Sequence, residues 1–395
     1  MNDALAVVVN QVGIPLLVRP YGQAQVPATA AIGIVNAIFD AALGSNKHVA
    51  FLETMQYRVA YRHTDDGWLL TLFNSELLPR QQSSQTLQWI DRMLHLVLRP
   101  SLFASTDAGS QKFEVTRHIA FLDYIMTHQS DLELAVGIPL IASSIDQALD
   151  MMSIGVAWAG PMYIVSDGAI LLDNDNNVDN SFDSWLLVLL VIAAELLLEQ
   201  PAKPTLQFPV YINMIPHQMM VVQVPSSTHL VWFGLTSGDV RISGEDVHKK
   251  LIEWHRRACS LLPTLWNLPP ATSEQWPALL GYCLFRQSPS PRCSATVAIK
   301  STAVPSATPP QLKTSLLCPT PQDIYTLLGH GILRLCHTTP SSTTNQDNLL
   351  VLGNNLVVLY AVRPPVHIVA VLTGPVELSA AIKVADYLAQ IACSG

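Results

Sequence analysis

Charge is what this sequence has least of. Of its 395 residues only 13% are Asp, Glu, Lys or Arg, about half the roughly 25% of an average soluble domain. Hydrophobic residues are present in ordinary proportion, at 49%, and the mean hydropathy is +0.30. Such a chain has much to bury and little charge to cover it. Either its cores are large, or a partner covers part of its apolar surface. The net charge is −8 and the pI about 5.8. The chain therefore lacks the basic balance that nucleic acid demands, and no nucleic-acid partner is expected.

Cysteine is missing from the first 258 residues. The six present, Cys259, Cys283, Cys293, Cys318, Cys336 and Cys393, form no CxxC and have no histidine at zinc spacing. That argues against a disulfide framework or a zinc site and points to free thiols in a reducing cytosol. A signal peptide is also missing: "MNDALAVVVNQVGIPLLVRP" has an acid near its start, no basic run, and breaks at Asn10 and Gln11, so it reads as strand.

A membrane span is missing too. The most apolar stretch, "SWLLVLLVIAAELLLEQP" (residues 184–201), holds ten uninterrupted apolar residues before Glu195, where a crossing needs about 20. Glu199 adds a second acid, and no Lys/Arg cluster flanks the run. With Asp183 and Ser184 as N-cap candidates and Pro201 as a stop, it reads as a helix buried on several sides.

Catalytic signatures are absent as well: no P-loop, no GxGxxG, no GxSxG elbow, no HExxH. His248 and His255 lie seven apart with no third ligand near. Asp65 and Asp66 belong to a turn. "DNDNNVDNS", from Asp173, alternates acids and amides like a calcium loop, but position six is Val178 rather than Gly and position twelve is Ser184 rather than Glu. No catalytic residue, cofactor or metal is assigned. One basic cluster is present: Lys249, Lys250, Arg256 and Arg257, with His255, on a predicted helix. It is either a phosphoinositide-binding face or a solvated helix surface favoured by the helix dipole.

What the sequence does have is a recurring order of elements. "ALAVVVNQ" and "IPLLVRP" flank Val12-Gly13 as a hairpin. "PATAAIGIVNAIFDAALG" follows as a helix, with Ile32, Val35, Phe39 and Leu43 at helical spacing. Three strands come next, "KHVAFLET", "QYRVAYRH" and "GWLLTLFNS", the last two joined by Asp65-Asp66-Gly67. Then come a helix with Leu87, Ile90, Leu94 and Val97 on one face and Pro100 as stop, and a last helix, "KFEVTRHIAFLDYIMTH". The order β-β-α-β-β-β-α returns from "VAWAGPMYIVSDGAILLD", turning at Asp167-Gly168, through "GEDVHKKLIEWHRRACSLLPTL". It returns again, less clearly, from "EQWPALLGYCLF" and "CSATVAIKST", through the helix "PQDIYTLLGHGILRLCH", to the closing helix "VELSAAIKVADYLAQIAC". This predicts an α+β chain of three tandem units at 1–135, 136–268 and 269–395, each a five-stranded, mainly antiparallel sheet flanked by helices. A Pro/Ser/Thr-rich loop falls at 301–321.

That order resembles the longin domain, and three in tandem resemble the tri-longin family, which includes the Mon–Ccz and Hermansky–Pudlak Rab exchange factors and the planar polarity effectors. The stretches "NQVGIPLLVRP", "FPVYINMIPHQMMVVQVPSSTHLVWFGL", "LIEWHRRACSLLPTLW" and "ALLGYCLFRQSPSPRCSATV" look most like the planar polarity branch and touch all three units in order. The first helix departs from the family pattern, with no Gly after Asn36.

The resemblance implies an interaction protein. Its expected partners are an Inturned-like tri-longin chain, a Wdpcp-like WD-repeat protein and a Rab-like small GTPase. The expected place is the cytoplasm, at the cilium base and cytoskeleton. Any nucleotide exchange would belong to the composite surface of a heterodimer. The interface is placed at Ile32, Val35 and Phe39 of the first helix with Tyr57 and Tyr61; core packing is the ordinary alternative for the helix residues. The rival readings are an endosomal Mon–Ccz-type exchange subunit, a phosphoinositide-binding adaptor using Lys249, Lys250, Arg256 and Arg257, and, least favoured, an enzyme.

Overall fold

The computed structural model describes residues 3–23, 26–45, 50–54, 57–74, 80–128, 134, 140–142, 158, 160–166, 169–173, 183–198, 205–224, 230–236, 243–258, 270–286, 295–300, 324, 327–329, 346–352 and 355–394. The chain divides into two compact units: Met1–Gln129 with Phe208–Met219, and Ser130–Gln207 with Met220–Gly395.

In the first unit the elements are β1 (Ala4–Val9), β2 (Pro15–Tyr21), α1 (Ala28–Ser45), β3 (Phe51–Glu53), β4 (Arg58–His63), β5 (Leu69–Asn74), α2 (Arg80–Val97), α3 (Pro100–Phe103), α4 (Ala108–Arg117) and α5 (Ile119–Thr127). The sheet order is β2-β1-β5-β4-β3, antiparallel throughout. Strand alternation sorts the side chains. Leu5, Val7, Val9, Val59, Tyr61, Leu69 and Phe73 pack against Ala31, Val35 and Phe39 of α1. The opposite face carries α2, whose Leu87, Ile90, Leu94 and Val97 are all buried, joined by Trp89 and Met93.

Polar side chains pin this frame. The Asn10 carboxamide oxygen accepts from the amides of Val12 (3.2 Å) and Ile14 (2.9 Å) and shapes the β1–β2 turn, with Gly13 at φ +82°. Its nitrogen donates to Gln111 on α4 at 2.7 Å. Asp107 caps α4 by accepting from Gly109 and Ser110. Arg19 grips Asp123 of α5 with two nitrogens (3.2 and 2.9 Å), and the Tyr21 hydroxyl donates to the same carboxylate at 2.9 Å. The last helix of the sequence reading is two helices, broken at His118 (φ −101°, ψ 19°). Pro100 stands at the first turn of α3. The unit also takes in the end of a later hairpin, where the Phe208 ring meets His118 edge-on at 5.5 Å.

The second unit contains β6 (Leu140–Ala142), β7 (Met162–Ser166), β8 (Ala169–Asp173), α6 (Ser184–Leu198), β9 (Thr205–Ile212), β10 (Ile215–Gln223), β11 (Leu230–Thr236), α7 (Gly244–Ala258), α8 (Pro270–Gln275), β12 (Leu279–Arg286), β13 (Ala295–Ile299), β14 (Gln346–Leu352), β15 (Leu356–Arg363), β16 (Val366–Thr373) and α9 (Leu378–Ser394), save the hairpin end already assigned. Its strands form one sheet of eleven, β14-β15-β16-β12-β13-β6-β8-β7-β11-β10-β9. Inside it lie two copies of the first sheet's order: second, first, fifth, fourth and third strand of each repeat. They are joined through β6, a strand the sequence reading missed, which pairs in parallel with both β13 and β8. The third repeat has helix on both faces, α9 on one and the helical residues Ile324 and Leu328 on the other.

The apolar stretch is α6. Asp183 caps it, accepting from the Leu186 amide at 2.7 Å, and Leu187 to Ala194 are buried without interruption. Among the described residues no helix is long and apolar enough to cross a membrane. The Asp167-Gly168 turn, the acid–amide run after Asp173, the loop at 301–321 and Cys259, Cys293, Cys318 and Cys336 lie outside the described residues. Cys283 and Cys393 are free thiols, the first buried and the second exposed.

Candidate functional site

Of the five residues marked for an interface, Val35, Phe39 and Tyr61 sit in the first unit's core. Ile32 and Tyr57 are half-buried. Core packing accounts for Val35 and Phe39, as a 3.6-residue apolar period ordinarily does. Burial pushes the Tyr61 phenol well above its usual pKa, and its hydroxyl has no hydrogen-bond partner among the described residues.

The solvent side of α1 is different in kind. It presents Ala30, Gly33, Ile34 and Ala37, all exposed, with Ile34 at 40%. A helix that keeps one side in water normally carries charge there. The only charged residue in α1 is Asp40. Gly33 lies in mid-helix, and a Cβ added to it would meet nothing within 4 Å. Packing among the described residues gives no reason for a glycine that costs about 1 kcal/mol against Ala.

The sheet ends at β3, which pairs only with β4 among the described residues. Phe51 is half-buried, and Leu52 and Glu53 are exposed. The Glu53 carboxylate accepts from Arg58 (3.0 Å) and Arg80 (2.9 Å), and the Arg80 guanidinium lies 5.9 Å from the Phe51 ring centroid. The Arg80 hydrogen bond leads in holding the Glu53 carboxyl below its usual range. The rim of β3 is thus polar and ion-paired, while the exposed side of α1 is mostly apolar, with Asp40 as its one charge.

One cluster looks catalytic by composition. His95 on α2 directs Nε2 to Asp66 (2.6 Å) and Nδ1 to the Asp91 carbonyl (2.8 Å). Asp91 also takes Arg62 at 2.7 Å, and the imidazole stacks on Phe103 at 4.5 Å. Burial lowers the His95 pKa, but the bonds to Asp91 and Asp66 outweigh it and carry the value to about 9. Both nitrogens donate, so the ring is a charged strut between the β4–β5 turn and α2. At neutral pH it offers no free base. Among the described residues no group of three or more His, Cys, Asp or Glu could hold a metal ion.

Lys249, Lys250, Arg256 and Arg257 are exposed on α7, opposite the buried Val247, Leu251 and Trp254. Three acids on the same helix, Glu245, Asp246 and Glu253, stand four residues before Lys249, Lys250 and Arg257, the spacing and direction that pair best in a helix. The face is nearly neutral in sum, which weakens it as a lipid-headgroup site.

No protein-family model matches the chain, and no curated protein is significantly similar to it.

Proposed function

We propose that the chain is a non-catalytic interaction subunit of the tri-longin type, Fuzzy-like. In this reading it pairs through its first unit with an Inturned-like tri-longin chain, associates with a Wdpcp-like WD-repeat protein, and helps bind a Rab-like small GTPase at the cilium base. The observation that carries the reading is the charge-poor solvent side of α1 around Gly33, where Asp40 is the one charged residue, and which has the character of an interface core. The threefold recurrence of one strand order, with a helix after the second and the fifth strand of each repeat, supports the longin comparison. If the complex exchanges nucleotide, the mechanism is remodelling of the GTPase switch regions by the composite surface, which requires no acid–base residue from this chain.

The test is co-expression with an Inturned-like partner. Gly33→Arg places a long charged side chain on the open side without touching the core. It should abolish 1:1 complex formation while the variant stays folded. Gly33→Ala should preserve the complex and raise stability by about 0.5–1 kcal/mol. A Gly33→Arg chain that still forms the complex like wild type rejects this surface.

A further inference from the structure

The β9–β10 hairpin turns on Asn213 and Met214, both at positive φ (50° and 66°). A two-residue turn of this hand favours Asn followed by Gly, because a Cβ in the left-handed region crowds its own backbone. The other described residues at positive φ are Gly13, Gly22, Gly67, Gly374 and Asn355. Met214 is the one bulky side chain among them, and such a residue in this region signals function or strain. No burial rewards it: Met214 is 50% exposed and Ile215 57%, and Asn213 and Pro216 are exposed beside them. His217 Nδ1 lies 3.0 Å from the Ile215 carbonyl and steadies the tip. Charge is absent along the chain on both sides of it. From Pro204 to Gly238, 35 residues, there is no Asp, Glu, Lys or Arg. Pro209 removes a donor from the outer strand, so the hairpin presents its end rather than its edge.

We propose that this tip is a membrane-insertion finger. Met214 and Ile215 enter the apolar boundary of a bilayer, and Tyr211 and His217 stand at the headgroup level. A bilayer accepts apolar side chains without demanding a matching shape, and it rejects charge; an uncharged hairpin with a strained, exposed methionine meets both conditions. With no basic residue in the hairpin, attraction to anionic lipid plays no part. Each of the two side chains is already about half out of water, so insertion gives roughly one to two powers of ten in partitioning. That is reversible adhesion rather than an anchor.

The test floats the full chain with phosphatidylcholine vesicles at low and high salt, beside Met214→Gly/Ile215→Thr and Met214→Trp. Wild type should float equally at both salts. The double variant should lose about tenfold or more of the bound fraction while its Tm is unchanged or higher, because Asn-Gly relaxes the turn. Met214→Trp should float better. The proposal is overturned if wild type does not bind neutral vesicles, if it binds only phosphatidylserine vesicles at low salt, or if the double variant floats like wild type. Absence of flotation together with loss of a protein complex in Met214→Gly also overturns it, by assigning the tip to a protein pocket.

Discussion

α1 and α6 occupy the same place in successive repeats, after the second strand and before the third, and both are nearly free of charge. α6 is covered: it packs on β11, and none of its residues with described side chains is exposed. Among the described residues α1 is covered on one side only and leaves Ala30, Gly33, Ile34, Ala37 and its single acid, Asp40, in solvent. A helix with a single acid has little that suits water. α6 satisfies that requirement within the chain. α1 does not, and our account assigns the rest of its cover to a second protein.

The largest effect that would sharpen this comparison is an acid placed in each helix. Leu190→Asp puts an unpaired carboxylate where exposure is 0% and should cost about 4 kcal/mol or more, unfolding the second unit. Ile34→Asp should cost less than about 1 kcal/mol and instead weaken the partner complex. Thermal melts of the two variants check this. Equal destabilisation would mean that α1 is as internally committed as α6.

A middle-sized effect comes from His95. Its folded pKa of about 9 exceeds the unfolded value near 6.5, so the folded state holds a proton that the unfolded chain has lost. The stabilisation is fully present below about pH 6.5 and disappears as pH rises to about 9. Allowing for the partial exposure of the ring, it is worth about 1–2 kcal/mol. His95→Gln should flatten the decline in stability across that window. A slope unchanged in the variant would remove His95 from its cause.

The smallest effect is expected at α7. Lys249→Glu/Lys250→Glu should alter stability by no more than about 1 kcal/mol and leave partner binding intact, because exposed pairs at this spacing contribute only a few tenths each. Loss of binding to phosphoinositide vesicles in that variant would revive the adaptor reading.

Much of the fold was legible in the residues because periodicity and turn chemistry report local structure. Val12-Gly13 marked the first hairpin, Asp65-Asp66-Gly67 the β4–β5 turn, and Asp183 the start of α6. β6 escaped because three residues have no period to read and their parallel partners lie far away in sequence. The break at His118 has no proline or glycine to announce it. α8 was not read at all: only its last two residues, Glu274 and Gln275, fell in the run "EQWPALLGYCLF", although Pro270 supplies a normal first-turn residue. The candidate site was legible only in part. The spacing of Ile32, Val35 and Phe39 marked α1, but an apolar period points to the core, where Val35 and Phe39 lie. The outer side escaped: its lack of lysine, arginine and glutamate and its mid-helix Gly33 leave no periodic signal to read.

The most direct measurement is hydroxyl-radical footprinting of the native chain, alone and with the Inturned-like partner, read at Ile34. Phe113, 66% exposed on α4, serves as the internal control. The account predicts several-fold protection of Ile34 in the complex, with Phe113 labelled equally in both states. A complex in which Ile34 is labelled as fast as in the free chain would contradict it.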